Sequence, residues 1–243
     1  MRARLLRASI NLKWLKKMYA ATSQPNAEVQ EHSLPETTKG MQGRAELGFV
    51  ADQDQTRLKH LYQVSPFRVL FPTLPKEELT TAVLVTTSGG LVGGDQLGID
   101  VSVAENARAQ VMGQAAEKVY RSIGPDTHFN ANIKVEDGAY LEWLPQETIV
   151  FDQSRLRRTT SVDVADGGTF TGAEMLVFGR TAMGENVHTG LVRDVWDVRR
   201  DEKRLWADAL HLDGDIKSKL DHPARSEERR VGKECRSRWS PYH

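Results

Sequence analysis

The chain has 243 residues, 33 basic and 33 acidic side chains that give a formal net charge of zero, and a single cysteine, Cys235. This length allows one large domain or two small ones with a substantial buried core. Balanced charge gives no support for a nucleic-acid or membrane-surface protein, and one cysteine excludes internal disulfides and sites made of several thiolates. A reducing, cytoplasmic setting is the simplest interpretation, and no apolar run approaches the roughly 20 residues of a membrane-spanning helix.

Residues 1–42 are predicted to be an extension that precedes the domain. They are basic and leucine-rich, with no acidic side chain before Glu28. Three interpretations stay open for this composition: a transit peptide, a membrane-surface helix or an unstructured extension. Because Met18 and Met41 are alternative in-frame starts, we favour a dispensable extension and expect the domain to begin near Gly43.

Short β-rich segments separated by turn residues dominate the chain after that point. The predicted strands cover residues 58–71, 82–87, 97–103, 107–112, 128–135, 140–144, 148–151, 159–164, 169–178 and 187–198. Many short strands at regular spacing predict an all-β sandwich, barrel or solenoid.

An internal repeat favours the solenoid. Three segments align as an alternating strand, an acidic turn and a second strand: 98–111, 130–143 and 159–172, with a looser fourth copy at 194–206. Their anchor valines, Val103, Val135, Val164 and Val198, are separated by 32, 29 and 34 residues. Such periods are typical of units that bury their apolar faces against neighbouring units. We therefore predict a β-helix-like stack of short strands in repeating strand-turn-strand units with few helices, and a β-sandwich stays the alternative.

A glycine-rich stretch at residues 86–95 is the most unusual local feature. It has four glycines within six positions but lacks the Gly-Lys-Ser/Thr and G-x-G-x-x-G patterns of phosphate-binding loops, and a strand follows it instead of a helix. We predict a structural or partner-docking turn between two strands. Its candidate residues are Ser88, Gly89, Gly90, Gly93, Gly94 and Asp95. In the next stretch, Lys118, Tyr120 and Arg121 are candidates for an ordered polar face, with an ordinary solvent-exposed face as the alternative.

Several carboxylates adjoin large apolar residues further along the chain. They are Glu142, Glu147, Asp152 and Glu174. Such acids are either pKa-shifted and accessible to metal ions or simply exposed to solvent on alternating strands. The seven histidines are scattered without metal-binding spacing, and no nucleophile elbow occurs, so the sequence does not predict an enzyme.

The last segment, residues 225–243, differs from the predicted domain at 43–224 because it is densely basic and has no periodicity. It is compatible with a nucleic-acid-binding tail, but it more closely resembles a vector- or adapter-derived read-through, and we exclude it from the fold.

Four of these stretches occur in a fixed order: 88–95, 114–122, 141–152, and the run from Glu174 to Arg180. Together they resemble the urease accessory protein family called UreD or UreH, over about residues 43–222. The resemblance implies a β-helix-like, non-enzymatic maturation factor. It also implies that the protein assembles with the accessory proteins UreF and UreG on apo-urease and helps to deliver nickel.

The resemblance further implies an internal polar passage for nickel, with no tightly bound cofactor. On that basis Glu142, Glu147, Asp152 and Glu174 are candidate transit ligands, since hard oxygen donors without thiolates bind nickel weakly and let it leave. Members of the family continue beyond the position that matches Pro223 into a further, partly helical region, whereas this chain changes there to the basic tail at 225–243. Two other hypotheses stay open: a carbohydrate-active β-helix enzyme, which needs paired carboxylates in a groove, and a structural β-repeat module.

Overall fold

The computed structural model describes residues 40–75, 78–180 and 183–221. The predictions for residues 1–39, which form most of the extension, and for the tail at 225–243 lie outside these residues. The described residues form fifteen strands and one short α-helix. Their bounds are β1 Gln42–Asp52, β2 Gln55–Val64, β3 Phe67–Leu70, β4 Thr80–Thr86, β5 Gln96–Val103, β6 Arg108–Gly113, β7 Glu117–Val119, β8 Thr127–Val135, β9 Tyr140–Leu144, β10 Thr148–Val150, β11 Arg155–Val164, β12 Thr169–Gly172, β13 Leu176–Phe178, β14 Thr189–Arg200, β15 Lys203–Asp215 and α1 Ile216–Leu220.

The strands build a solenoid of about four coils with three sheets as its walls. Sheet A has seven strands in the order β15-β14-β11-β8-β5-β1-β2, sheet B has five in the order β12-β9-β6-β4-β3, and sheet C has three in the order β13-β10-β7. Each coil passes from sheet B through sheet C to sheet A, as in β6, β7 and β8, and successive coils stack in parallel. The predicted all-β, β-helix-like stack is confirmed.

The first three copies of the repeat stack in the register that the sequence alignment predicts. Val103 lies opposite Val135, and Val135 lies opposite Val164. The fourth copy differs, because Val198 pairs with Val162 instead of Val164. After β14 the chain also turns back through Asp201, at a positive φ of 47°, and β15 runs antiparallel beside β14. The repeat therefore ends in a hairpin instead of a further coil.

Alternation along the strands places one side of each strand in the core. Leu141 and Trp143 on β9 are 0% and 1% exposed, whereas Glu142 between them is on the outer side. Each coil buries its apolar side chains against the coils above and below, since no single coil could enclose a core. Coils joined by parallel ladders in this way hold inward side chains one above another along the solenoid axis.

Some predicted strand boundaries are wrong for identifiable reasons. The predicted strand 58–71 is two strands, separated at Pro66, which has no N–H to donate to a ladder. The predicted strand 169–178 is divided by the corner between sheets B and C. Two long strands, β1 and β15, lie in segments where the sequence predicted no complete strand. No helix in the described part of the chain has the length and apolar character needed to cross a bilayer.

Candidate functional site

The glycine-rich stretch forms the corner between β4 and β5, and the carboxylate of Asp95 holds it in place. Asp95 is 2% exposed, and its Oδ1 and Oδ2 accept hydrogen bonds of 2.8 Å each from the backbone N–H groups of Met41 and Val92. Gly93 has no room for a side chain, because an added Cβ would lie 2.1 Å from Ser122 Oγ. These contacts give the stretch a structural role, and its predicted docking role stays a prediction.

The second predicted stretch packs directly against the first. Leu91 bridges Val119 in parallel, and an added Cβ at Gly90 would lie 2.5 Å from the ring of Tyr120. Tyr120 is 38% exposed and stacks on Phe151 of the next coil, with ring centroids 4.9 Å apart. The fold therefore brings residues 88–95 and the candidates Lys118, Tyr120 and Arg121 to one edge of sheet C.

Continuing along this edge, the guanidinium of Arg180 lies over the Phe151 ring at 5.2 Å from its centroid. Arg180 is also held by Glu185 through hydrogen bonds of 2.6 and 2.8 Å. Val92 on the coil before Tyr120 is likewise exposed. We call Val92, Tyr120, Phe151 and Arg180 the edge ladder. It takes one side chain from each coil, of which Val92, Tyr120 and Arg180 are exposed and Phe151 is half-buried.

The four candidate carboxylates do not converge. Glu142 lies on the outer side of sheet B, where it accepts hydrogen bonds from Gln110 Nε2 at 2.6 Å and Tyr140 Oη at 2.7 Å. Glu147 is in the corner between β9 and β10. Because the carbohydrate-active hypothesis needs paired carboxylates in one groove, this scattering leaves that hypothesis without its catalytic pair among these acids.

Asp152 has a local structural role at the corner that leads to sheet A. Its Oδ1 accepts the backbone N–H groups of His188 and Thr189 at 2.7 and 2.9 Å. Partial burial raises the pKa of Asp152, but the bonds from Thr189 and His188 outweigh burial and lower this pKa below its ordinary value. The carboxylate is thus held ionised while it joins two coils.

Glu174 is the candidate that lies inside the solenoid, with a side chain that is 5% exposed. Its Oε1 accepts Trp143 Nε1 and Thr160 Oγ1, both at 3.3 Å, and its Oε2 accepts Trp196 Nε1 at 3.1 Å. Arg158 Nη2 lies 3.0 Å from the same Oε2. Burial raises the pKa of Glu174, and the positive charge of Arg158 offsets that rise only in part.

Arg158 joins Glu174 to a second acid that the sequence did not single out. Its Nε and Nη2 donate to the two carboxylate oxygens of Asp194 at 2.9 and 2.6 Å, and its Nη1 donates to Thr148 Oγ1 at 3.1 Å. Such paired hydrogen bonds to one carboxylate are the strong form of the arginine–carboxylate interaction. The network connects β10, β11, β14 and the corner between β12 and β13.

An interior cavity of about 70 Å³ borders this network. Apolar side chains such as Phe67, Leu91 and Trp143 form most of its lining. The polar part of the lining consists of Thr86, Glu117, Gln146, Thr148, Arg158 and Glu174. The volume corresponds to roughly five water molecules at ~10–15 Å³ each. Burial raises the pKa of Glu117, and a hydrogen bond from Thr86 lowers it only in part. The cavity therefore contains two carboxylates whose ionisation burial disfavours.

Two cavity residues that the sequence analysis did not name, Arg158 and Glu117, could have been found from the alternation of inward and outward positions along their strands. Arg158 has the same parity as Leu156 and Val162, which are inward on β11, and Glu117 has the same parity as the inward Val119. A charged side chain at an inward position predicts an interior polar site. Among residues 40–75, 78–180 and 183–221, however, no three His, Cys, Asp or Glu side chains are grouped so as to hold a metal ion.

Comparison with known proteins gives one consistent family. Residues 41–232 match the family model described as UreD urease accessory protein. A relative from Magnetococcus marinus, named urease accessory protein UreD, is 50% identical over 187 residues, which are 77% of this chain and 65% of the relative. Two relatives of the same name from Rhodopseudomonas palustris, strains HaA2 and BisA53, are 42% and 44% identical over 75% and 70% of this chain and 65% and 59% of their own lengths. The chain thus spans less than two thirds of these relatives.

Proposed function

Because the chain belongs to the UreD family of urease accessory proteins, we propose that it acts in urease maturation and is not an enzyme. In this role it assembles with the urease apoprotein and the accessory proteins UreF and UreG in the cytoplasm, and it helps nickel to reach the urease active site. The observation that carries this proposal is the family match over residues 41–232, on a solenoid whose mainly apolar interior holds one cavity with a polar side.

The interior cavity supports the nickel part of the proposal. It combines Glu174 and Glu117 with the oxygen-bearing side chains of Thr86, Gln146 and Thr148. Oxygen ligands hold nickel less tightly than nitrogen or thiolate ligands, so an ion can enter and leave. We therefore narrow the transit ligands from the four predicted acids to Glu174, joined by Glu117. The other three predicted acids do not line this cavity: Glu142, Glu147 and Asp152.

The edge ladder supports the partner-binding part. Aromatic and arginine side chains that are accessible yet held rigidly by stacking are typical anchors of protein interfaces. Tyr120 and Phe151 are fixed by stacking, and Arg121 beside them is exposed. The glycine-rich stretch positions this ladder through its contacts with Tyr120 and Ser122.

A pull-down tests the proposal. The chain is co-expressed with UreF, UreG and the urease subunits, alone and in a version extended by the C-terminal region of the M. marinus relative. We expect the extended version to capture the complex. Tyr120→Ala and Arg121→Glu should reduce capture, whereas Arg193→Glu, an exposed charge reversal on β14, should leave it unchanged.

Each outcome has a distinct meaning. An extended chain that captures none of these partners contradicts the proposed function. Capture that Arg193→Glu and Tyr120→Ala reduce equally contradicts the assignment of the edge ladder and leaves the family function in place. Urease activity measured in the same cells, with nickel supplied, tests the nickel step separately: Glu174→Gln and Glu117→Gln together should lower activation without preventing capture.

A further inference from the structure

The outer side of sheet C is largely apolar, unlike the outer side of sheet A. Parallel pairing places Lys118, Ile149 and Val177 in one row across three coils. The edge ladder forms the next row on the same side, because Tyr120 and Phe151 follow Lys118 and Ile149 by two residues on their strands. A row across five strands of sheet A is polar throughout: Glu46, Asp100, Asn132, Ser161 and Asp197. Contiguous apolar rows on the outside of one sheet mark an interaction surface.

Exposed apolar side chains extend this surface beyond the two rows. Ile123 is 94% exposed in the loop that follows β7, and Met175 is exposed just before β13. The loop is held in place, since the backbone N–H of Ser122 donates to the carbonyl oxygen of Gln153 at 3.0 Å. An isoleucine that a fixed loop presents to solvent is typical of a side chain that a partner buries.

The charges beside the rows are mainly positive. In the described residues neither Lys118 nor Arg121 forms an ion pair, whereas Arg180 is paired with Glu185. Glu147 lies next to the row of Lys118, so Lys118, Arg121 and Glu147 together leave one net positive charge. This charge complements a partner with acidic side chains.

The spacing of the coils matches the pitch of an α-helix. Strands of neighbouring coils lie about 4.8 Å apart, and an α-helix rises about 5.4 Å per turn. A helix along the solenoid axis therefore places one turn over each coil, with a drift of only about 0.6 Å per coil. An extended strand in the same direction advances about 3.3 Å per residue, so its side chains fall out of step with the coils. The space between two parallel rows suits the apolar stripe of such a helix.

We propose that the outer side of sheet C binds an amphipathic α-helix of a partner protein. The helix lies along the solenoid axis with its apolar stripe between the edge ladder and the row of Lys118, Ile149 and Val177, and its acidic side chains lie beside Lys118 and Arg121. This inference rests on the proposed function in that the helix belongs to a protein of the urease maturation complex.

Site-specific photo-cross-linking tests the helix and its direction. The extended chain, co-expressed with UreF, UreG and the urease subunits, carries p-benzoyl-phenylalanine in place of Lys118, Ile149 or Val177, one position per variant. These positions span two coil spacings, so cross-links to a helix should advance by about 6–7 residues along one partner segment, against about 3 residues for an extended strand. The matched control is the same probe at Asn130, an exposed outward position on β8, which should not cross-link to that segment.

A second measurement needs no urease protein. Fluorescence anisotropy compares two labelled, alanine-based 18-residue peptides that bind to the purified 243-residue chain. Both have leucines at every third or fourth position, and these are flanked by glutamates in one peptide and by lysines in the other. The glutamate peptide should bind at least about 10-fold more tightly than the lysine peptide. Ile149→Glu should weaken its binding at least about 10-fold, whereas Asn130→Glu should leave it unchanged.

The proposed function and the helix proposal fail on different results. If the extended chain captures its partners but the cross-links are missing, scattered or advance by about 3 residues, the helix proposal is overturned and the proposed function stands. If the extended chain captures no partner, the proposed function fails and the peptides decide. Equal affinities for the two peptides, or for the wild type and a folded Ile149→Glu variant, then overturn the helix proposal as well.

Discussion

Replacing Asp95 with alanine should destabilise the whole solenoid, although Asp95 lies in a turn. Its carboxylate accepts the backbone N–H groups of Met41 and Val92, and it connects the start of β1 to the glycine-rich corner. At 2% exposure the carboxylate is shielded from bulk solvent, so its two hydrogen bonds are made within the protein. Asp95→Ala therefore removes the acceptor of two partly buried backbone N–H groups.

The magnitude follows from these two bonds. A hydrogen bond to an ionised group contributes about 1.5–3 kcal/mol, so the loss should be about 3–6 kcal/mol in the free energy of unfolding. Asp95→Asn retains one acceptor oxygen and should lose about half of that. Since domains unfold with about 5–15 kcal/mol, Asp95→Ala should leave the chain only marginally folded.

Urea unfolding followed by circular dichroism measures this effect. The control is Asp163→Ala on β11, an exposed carboxylate, which should change the free energy of unfolding by less than about 0.5 kcal/mol. If Asp95→Ala also stays within about 1 kcal/mol of the wild type, the carboxylate does not anchor the corner, and the structural role assigned to the glycine-rich stretch is wrong.

Three further predictions follow from individual contacts. Gly93→Ala should destabilise the fold by about 1–3 kcal/mol, because the new methyl group meets Ser122 Oγ, and thermal unfolding measures the loss. Glu117→Gln should raise the free energy of unfolding at pH 8. Burial raises the folded-state pKa of Glu117, so its ionisation costs stability above that pKa and costs nothing below about 4.5, the unfolded-state value. Asp126→Asn should lower the free energy of unfolding at pH 7. Although burial raises the pKa of Asp126, the hydrogen bonds from Arg157 and Arg155 outweigh burial and lower this pKa below 3.8. The ionised carboxylate therefore stabilises the fold at pH 7, and this stabilisation is lost as the pH falls from 3.8 through the folded-state pKa.

Each of these predictions has a control or a contradicting outcome. Gly98→Ala is the control for Gly93→Ala, since its Cβ would meet only Arg44 Nη1 at 3.7 Å, and equal losses in the two variants would contradict the steric argument. For Glu117→Gln, a gain that persists unchanged at pH 4 would show that ionisation is not its cause. For Asp126→Asn, a deficit at pH 2 as large as that at pH 7 would mean that the arginine contacts do not act through the ionised carboxylate.

Strand alternation and the repeat determine much of the fold by themselves. The valines at positions 103, 135 and 164 predict the register in which three coils stack, because a parallel stack places equivalent positions directly above one another. The ends are not predictable in the same way. At the fourth copy the turn at Asp201 reverses the chain, and the register shifts by two residues, since pairing with β15 replaces the constraint of a further coil.

The residues of the candidate site fall into the same two groups, those that local sequence predicts and those that only the stacking of coils brings together. Sequence alone identified the glycine-rich corner and Glu174, because glycines without a helix and a carboxylate among large apolar residues are local features. It did not identify the partners of Glu174. Arg158 and Asp194 are 36 residues apart, and they meet only because β11 and β14 lie side by side in sheet A. Local alternation determines which side chains face inward, whereas the stacking of coils decides which of those inward charges neutralise one another, since a buried charge is stable only beside the partner that the fold brings to it.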